Sequence, residues 1–186
     1  GTTIDDAGGE AFDKISKLLG LGYPGGPKIQ EVAMNQPTDF VNFPIAQCKN
    51  EFDFSFSGLK TAVLRFIQKE YGDAAKIPEE HLPLIAASFQ YSAIKALIVN
   101  ADKALRKYKV NSISLVGGVA ANKMLRDEFQ KLSTKYKKKL VIPSLEFCGD
   151  NGAMIAYRGL TLHEAGIKYS FGFNAFPSLN DHTFIK

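Results

Sequence analysis

The sequence predicts a helix-rich α/β domain. Two strand–turn–helix units follow one another at residues 110–132 and 139–165, and strongly periodic helical segments precede them. The 186 residues are 45% hydrophobic and 11% aromatic, which is enough apolar material for one packed core and shows no bias toward disorder. We therefore expect one domain, or a large piece of a bigger protein.

The first helix is predicted by a shared apolar face. Asp5-Asp6 stands just before it, where a carboxylate can cap free backbone N–H groups, and Gly20 and Gly22 end it. The loop 23–27 combines glycines, which allow close backbone approach, with stiff prolines, and a short helix is expected over residues 28–34. The apolar face consists of Ala7, Ala11, Phe12, Ile15, Leu18 and Leu19.

The middle of the chain reads as loop, strand and two helices. We expect a loop over residues 36–50, with a short strand at 40–43. The phenylalanines of residues 52–56 alternate with polar residues, as in a half-buried strand, and Ser57 can cap a helix that runs to residue 71. A long helix opens at Pro78-Glu79-Glu80 and continues to Lys107.

Two strands are expected to be parallel and joined by a crossover helix. The first unit has a strand at 110–116, the turn Gly117-Gly118 and a helix at 121–132; the second has a strand at 139–142 and a helix at 150–165. All-parallel sheets are normally central and covered on both faces, so a sheet of two or three strands is incomplete. The tail from Lys168 is expected to be irregular.

Composition argues against several classes of protein. The net charge of +4 is far from the excess of a dedicated nucleic-acid-binding domain. Cys48 and Cys148 are expected to be free thiols in a reducing compartment. No uninterrupted apolar run reaches the roughly 20 residues that span a bilayer, so we expect a soluble chain. The sequence begins with Gly1 rather than with an initiator Met, so we expect a cut or internal start.

The histidines and serines support no known hydrolase arrangement. His81, His163 and His182 are scattered, and none pairs with a carboxylate at the spacing of a zinc protease. No G-x-S-x-G elbow is present, although a serine triad is not thereby excluded.

A run of lysines marks residues 131–139. It could meet a phosphate backbone, or it could be the solvated end of a helix, which this feature alone favours. The lysines are Lys131, Lys135, Lys137, Lys138 and Lys139.

Several residues near the turns are candidates for ligand binding, but each could instead have a purely structural role. Gly117-Gly118 stands where α/β sheets bind ligands, although tight turns need the same residues. Asn122 could reach a ribose or a base, or cap a helix, and Asp150 could cap a helix or bind a metal. Asp13 shares a helix face with Asp6 and Glu10, which could hold a general base or form a solvated first turn.

These motifs together resemble one family. The matching segments are Ile4–Leu21, Tyr23–Pro27, Phe54–Thr61, Gly117–Asn122 and Asp150–Ala156. In order and spacing they are similar to the TsaD family of tRNA threonylcarbamoyladenosine biosynthesis proteins, formerly called O-sialoglycoprotein endopeptidases. The resemblance covers nearly the whole chain.

The resemblance implies a fold of the actin-like ATPase type, with two lobes that are each built on a ribonuclease-H-like sheet. Residues 1–186 would be the carboxyl-terminal part, a second lobe with a helical insertion at about residues 28–108. The amino-terminal lobe and the first strands of the second lobe would be absent, in agreement with the incomplete sheet.

The implied reaction transfers a threonylcarbamoyl group from threonylcarbamoyl-adenylate to the exocyclic amine of the tRNA adenosine next to the anticodon. At matching positions, Asp13, Gly26 and Asn122 would contact the adenylate. Asp150 would be one ligand of a divalent metal, iron or alternatively zinc, whose two histidine ligands are not in this chain. Gln30 stands where some relatives carry an acidic residue that contacts the ligand, so this chain departs from the family there.

The resemblance also implies partners, and the expected free thiols suit a cytoplasmic location. The partners are tRNA, a protein that makes the adenylate, and a paralogous accessory protein, with no membrane. We expect the isolated chain to be inactive and to bind metal weakly. The alternative is a catalytically inactive nucleotide-binding interaction module.

Overall fold

A computed structural model describes residues 1–167, and the tail from Lys168, which includes His182, lies outside the described residues. The chain divides into two units, residues 1–149 and a second that starts at Asp150. The first unit contains helices α1 (Gly8–Leu18), α2 (Gly25–Ala33), α3 (Ser57–Glu70), α4 (His81–Lys107) and α5 (Lys123–Tyr136), with strands β1 (Ser112–Ser114) and β2 (Lys139–Val141). The second contains α6 (Gly152–Glu164). A helix-rich α/β fold is confirmed.

The sheet of the described residues consists of β1 and β2. The strands are parallel, with Ser112 opposite Lys139 and Ser114 opposite Val141, and α5 is the crossover between them. Both strands are shorter than predicted. A 3₁₀ turn at Gly118–Ala121 follows β1 and leads into α5, so the strand–glycine turn–helix unit is confirmed.

The two other predicted strands do not form. Within residues 1–167, the segment 52–56 makes one bridge, between Thr3 and Phe54, and its alternation reflects packing of Phe56 into the core rather than a strand ladder. The segment 40–43 is a loop whose backbone bonds to serines of α4. Val41 N–H donates to Ser88 Oγ (3.1 Å), and the carbonyl of Phe43 accepts from Ser92 Oγ.

The core lies among the first four helices. Phe12 of α1 meets Phe89 of α4 edge-on, with ring centroids 5.1 Å apart, and Ile29 of α2 and Val63 of α3 are fully buried beside them. A smaller apolar cluster connects α4, α5 and β2 and includes Leu115, which directly follows β1. Burial of these aliphatic and aromatic side chains is the main force that holds the helices together.

The predicted cap of α1 is wrong. Ala7 occupies the capping position, whereas the Asp5 carboxylate accepts the backbone N–H groups of Phe56 (2.8 Å) and Ser57 (3.2 Å) at the start of α3. Ser57 is the first residue of α3 rather than its cap. Asp5 therefore ties the amino-terminal segment to a helix some 50 positions away in sequence.

Helix α4 is long and apolar enough to cross a membrane by length and composition, which the expectation based on uninterrupted apolar runs overlooked. Half of its most apolar 18-residue stretch is buried inside the protein. Ile85, Phe89 and Ala93 lie in that buried part. These residues pack in the core that α4 shares with α1, α2 and α3.

Candidate functional site

A cavity of about 530 Å³ lies between α1, α2 and the glycine turn after β1. Its wall is mostly apolar or small, with Phe12, Pro27 and Gly118 among the lining residues, and three polar side chains face it: Asp13, Gln30 and Asn122. Volumes in this range suit a ligand of nucleotide size.

Asp13 lies on α1 and joins it to α2. Its Oδ1 accepts the backbone N–H of Gly25 at 2.7 Å, and its other carboxylate oxygen accepts no hydrogen bond from residues 1–167. The helices are so close here that a Cβ on Gly25 would lie 2.5 Å from Asp13 Cα. Gly25 therefore permits the contact, and α2 begins there, three residues earlier than predicted.

Gly26 also lines the cavity, but it faces open space. A Cβ at this position would have no atom within 4 Å, and the same holds for Gly118 across the cavity. Packing within the described residues does not require glycine at either position. The small residues leave room for a ligand to approach the backbone.

Asn122 caps α5, so the capping interpretation of this residue is confirmed. Its Oδ1 accepts the N–H of Leu125 at 3.1 Å, and its Nδ2 donates to Oε1 of Gln90 at 2.7 Å. Both amide side chains are buried. Since an amide nitrogen carries two hydrogens, one remains for a ligand.

Gln90 was missed by sequence reasoning. It lies on the buried side of α4 with Ser88 and Ser92 as neighbours on the helix. Polar residues on an otherwise apolar stretch are the signal that could have identified it, because buried polar groups need partners.

Gln30 completes the polar rim of the cavity. Its Oε1 accepts the backbone N–H of Lys123, the first residue of α5, at 2.6 Å. Asp13 bonds in the same way to the first residue of α2. The amino termini of α2 and α5 therefore lie at the cavity. The Asp13 carboxylate already faces the positive end of α2, whereas the positive end of α5 bonds to neutral amides and so favours an anionic ligand group.

The three carboxylates predicted to share one face, Asp6, Glu10 and Asp13, have different partners. Lys14 Nζ lies 2.7 Å from Asp6 Oδ1 and 2.8 Å from Glu10 Oε1. The hydrogen bond from Lys14 holds the pKa of Asp6 below its ordinary value. Asp6 and Glu10 are thus engaged in ion pairs, and of the three carboxylates only Asp13 lines the cavity.

Asp150 is the first residue of the second unit and does not cap the following helix. Asn151 does so, accepting the N–H of Met154 at 3.0 Å. Among residues 1–167, no three His, Cys, Asp or Glu side chains form a group that could hold a metal. His81 instead bonds to the hydroxyl of Tyr71 and packs against Phe40.

Both cysteines are free, as predicted. Cys148 is buried, and its Sγ lies 3.3 Å from a guanidinium nitrogen of Arg126. It packs in the smaller apolar cluster beside Leu125.

Comparison with known proteins identifies close relatives. A family model described as "TsaD: tRNA N6-adenosine threonylcarbamoyltransferase" matches residues 1–157. The curated tRNA N6-adenosine threonylcarbamoyltransferase of Thermosipho africanus is 48% identical over 180 residues, which cover 96% of this chain and 53% of the relative. That of Staphylococcus carnosus is 41% identical over 186 residues, covering 99% and 53%. The chain spans about half the length of the curated relatives it matches.

Proposed function

The chain belongs to the TsaD family of tRNA N6-adenosine threonylcarbamoyltransferases, and we propose that it forms the adenylate-binding part of such an enzyme. The reaction transfers a threonylcarbamoyl group from threonylcarbamoyl-adenylate to the exocyclic amine of the tRNA adenosine next to the anticodon. The observation that carries the proposal is that Asp13, Gly26 and Asn122 line one cavity.

The cavity can bind the parts of an acyl-adenylate in different places. The phosphate, which is anionic, belongs near the amino terminus of α5 and Gly118, because the Asp13 carboxylate already occupies the amino terminus of α2. The open oxygen of Asp13 can accept a hydrogen bond from a ribose hydroxyl. The remaining N–H of Asn122 can donate to a ribose oxygen or to an edge of the base.

Binding of this kind assists the transfer in two ways. The amine nitrogen of the RNA adenosine forms a bond to the carbamoyl carbon, the bond from that carbon to the phosphate oxygen breaks, and the amine loses a proton. AMP leaves with negative charge on its phosphate, which the amino terminus of α5 stabilises. The mostly apolar wall can also shield part of the bound adenylate from water, which would limit its hydrolysis.

Asp150 is the one residue of this chain that we propose as a ligand of a divalent metal, iron or zinc. When bound, the metal would polarise a carbamoyl or phosphate oxygen as a Lewis acid. The described residues do not make a metal site by themselves, and the family resemblance implies two further histidine ligands that are not in this chain. The isolated chain should accordingly bind metal weakly and show negligible transfer activity.

The proposed setting is cytoplasmic. There the chain would act on tRNA with an adenylate-synthesising protein and a paralogous accessory protein. These partners follow from the family alone.

A second candidate is a catalytically inactive nucleotide-binding interaction module. It is favoured by the position of Asp13, Gly26 and Asn122 on one cavity of this chain, because these residues could bind a nucleotide without carrying out a transfer. Turnover of threonylcarbamoyl-adenylate with tRNA, in the presence of the missing part of the enzyme, separates the two candidates. The enzyme turns over, and the module binds without turnover.

The proposal is tested by titration of the chain with a fluorescent, non-hydrolysable threonylcarbamoyl-adenylate analogue. Asp13→Ala and Asn122→Ala are compared with Asp39→Ala and Asn42→Ala, which remove the same groups from exposed positions outside the cavity. We expect the first pair to weaken binding at least tenfold, corresponding to about 1.4 kcal/mol, and the second pair to bind like the unaltered chain. Equal affinities in all four variants would show that the residue assignments are wrong.

A further inference from the structure

Basic and aromatic side chains lie in the two segments that lead into β1 and β2. We call residues 106–109 and 135–139 the basic edge. The triplet Lys-Tyr-Lys occurs in both segments, at 107–109 before β1 and at 135–137 before β2. Since β1 and β2 are parallel, with Ser112 opposite Lys139, both segments approach the sheet from the same end.

Direct contacts hold the two segments together. Oδ1 of Asp102, on α4, accepts hydrogen bonds from Lys135 Nζ (2.7 Å) and from the Tyr136 hydroxyl (2.8 Å). Arg106 Nε in turn donates to the oxygen of the Tyr136 hydroxyl at 3.2 Å. The carboxyl ends of α4 and α5 therefore present one continuous surface.

Positive charge is concentrated on this surface. Its seven cations have only Asp102 and Glu51 as acidic partners within the described residues. Four of the cations form no ion pair with residues 1–167: Lys109, Lys137, Lys138 and Lys139. The seven cations exceed their two acidic partners by five charges. The net charge of the whole chain is +4, so the rest of the protein is close to neutral.

An exposed aromatic ring accompanies the charge. Tyr108 is 53% exposed and contacts Phe52, with ring centroids 5.8 Å apart. Lys107 Nζ lies 5.1 Å from the Phe52 ring centroid and 6.0 Å from that of Tyr108. Exposed aromatic rings among cations provide stacking surfaces for the bases of single-stranded nucleic acid.

Helix dipoles explain only part of this arrangement. Cations in the last turn of a helix are stabilised by its negative end, which accounts for Arg106 and Lys135. Lys138 and Lys139 lie beyond α5, and Lys137 adopts a left-handed conformation, with φ of 52°, that glycine would adopt at lower conformational cost. Stability alone would favour glycine at position 137.

We propose that the basic edge binds the phosphate backbone of an RNA stem–loop, with Tyr108 available to stack on an unpaired base. The choice of RNA as the polyanion rests on the proposed function. Helix α5 starts at the cavity and ends at the basic edge, and its 14 residues separate the two by about 20 Å. One RNA can thus offer its adenosine at the cavity while its backbone is held at the basic edge.

The test is fluorescence anisotropy of a fluorescein-labelled RNA hairpin, titrated with the chain at about 50 and 200 mM salt. The triple variant Lys137→Gly/Lys138→Gln/Lys139→Gln removes three unpaired cations, and glycine suits the backbone at position 137. The matched control is Arg65→Gln/Lys69→Gln/Lys76→Gln, which removes three exposed cations on α3 and the turn after it.

We expect the basic-edge variant to bind the hairpin at least tenfold more weakly at low salt. The slope of log affinity against log salt should fall by about two to three, since each lost phosphate contact removes about 0.7–0.9. The control should stay within about twofold of the unaltered chain. Unchanged affinity of the basic-edge variant, or equal losses in both triple variants, would overturn the proposal.

Two further titrations separate the alternatives. Vesicles that contain phosphatidylserine test for a membrane surface; loss of vesicle binding with full retention of hairpin binding would assign the basic edge to lipid and overturn the proposal. The adenylate analogue should bind all three proteins equally, because these substitutions lie outside the cavity. Failure of the analogue to bind even the unaltered chain would contradict the proposed function, while the hairpin titration still decides the basic edge.

Discussion

Asn122 donates a hydrogen bond from Nδ2 to Oε1 of Gln90, 2.7 Å away, and both side chains are buried. This bond links α4 to the start of α5 and orients the Asn122 amide at the cavity. In the sequence, Gln90 is one polar residue in a mostly apolar helix. In the structure it orients Asn122, a proposed ligand contact.

Removal of the Gln90 amide should cost stability and ligand affinity together. In Gln90→Leu the Nδ2 group of Asn122 loses its buried acceptor, and an unsatisfied buried group costs about 1–3 kcal/mol. Urea unfolding should show that loss, and the adenylate analogue should bind more weakly. Gln68→Leu on the exposed side of α3 should change neither quantity. A Gln90→Leu variant that is as stable as the unaltered chain would show that the bond contributes nothing.

Substitution of Gly26 should block the ligand without harming the fold. A Cβ at Gly26 extends into open space on the cavity wall, so Gly26→Ala should retain or raise the melting temperature and weaken binding of the analogue at least tenfold. Gly58→Ala, where a Cβ also meets nothing within 4 Å but which lies on α3, is the matched control for binding.

Gly25→Ala should behave in the opposite way. Its Cβ would meet the backbone of Asp13 at 2.5 Å, so α1 and α2 would have to separate and the melting temperature should fall. If Gly25→Ala and Gly26→Ala had the same stability, the close approach of the two helices at Asp13 would be contradicted.

The carboxylate of Asp5 should make stability depend on acid pH. Burial by itself would raise the pKa of Asp5, but hydrogen bonds from Ser55 and the N–H groups of Phe56 and Ser57 outweigh it and lower the pKa. The stabilisation is therefore fully present above the ordinary carboxyl pKa of about 3.9, and it is lost as pH falls through the lower pKa of the folded state.

The measurement is the free energy of unfolding of the unaltered chain and of Asp5→Asn between about pH 6 and 3. At pH 6 the variant should be less stable by about 0.3–1 kcal/mol, the usual worth of a negative charge at a helix amino terminus, and the difference should shrink toward pH 3. A constant difference across this range would mean that the charge of Asp5 has no part in capping α3.

The isolated chain should neither transfer threonylcarbamoyl groups nor retain a metal. Asp150 is the only metal ligand that the family resemblance assigns to this chain, and one carboxylate binds Fe²⁺ or Zn²⁺ weakly. Metal analysis after dialysis should find far less than one equivalent, and purified chain mixed with adenylate and tRNA should give no modified adenosine. Stoichiometric metal or turnover would contradict the expected incompleteness.

The helices were predictable because their apolar faces are strongly periodic. Helices α1, α3 and α4 lie where the periodicity predicts them, whereas α2 begins early because Asp13, distant in sequence, binds the N–H of Gly25. The alternating phenylalanines predicted a strand because period two records burial on one face. A ladder also needs a neighbouring strand, and residues 1–167 pair this segment only at Thr3–Phe54.

The site was predictable in part. The motifs directed attention to Asp13, Gly26 and Asn122, which line one cavity, but no local pattern reveals Gln90 or the bond from Gln30 to α5, because these contacts join residues far apart in the chain. The cap of α3 by Asp5 was hidden for the same reason. Local sequence supplies helix and turn preferences, whereas polar contacts across the fold depend on how the helices pack.

The central claim, that the cavity between α1, α2 and the Gly117-Gly118 turn binds an adenylate, is tested most directly by NMR. The ¹H–¹⁵N spectrum of the chain is titrated with the non-hydrolysable threonylcarbamoyl-adenylate analogue. The account predicts that the largest saturable shifts fall on the backbone amides of Gly25, Gly26 and Gly118 and on the side-chain amide of Asn122. Saturable shifts confined to other parts of the chain, or none at concentrations that saturate a full-length relative, would contradict it.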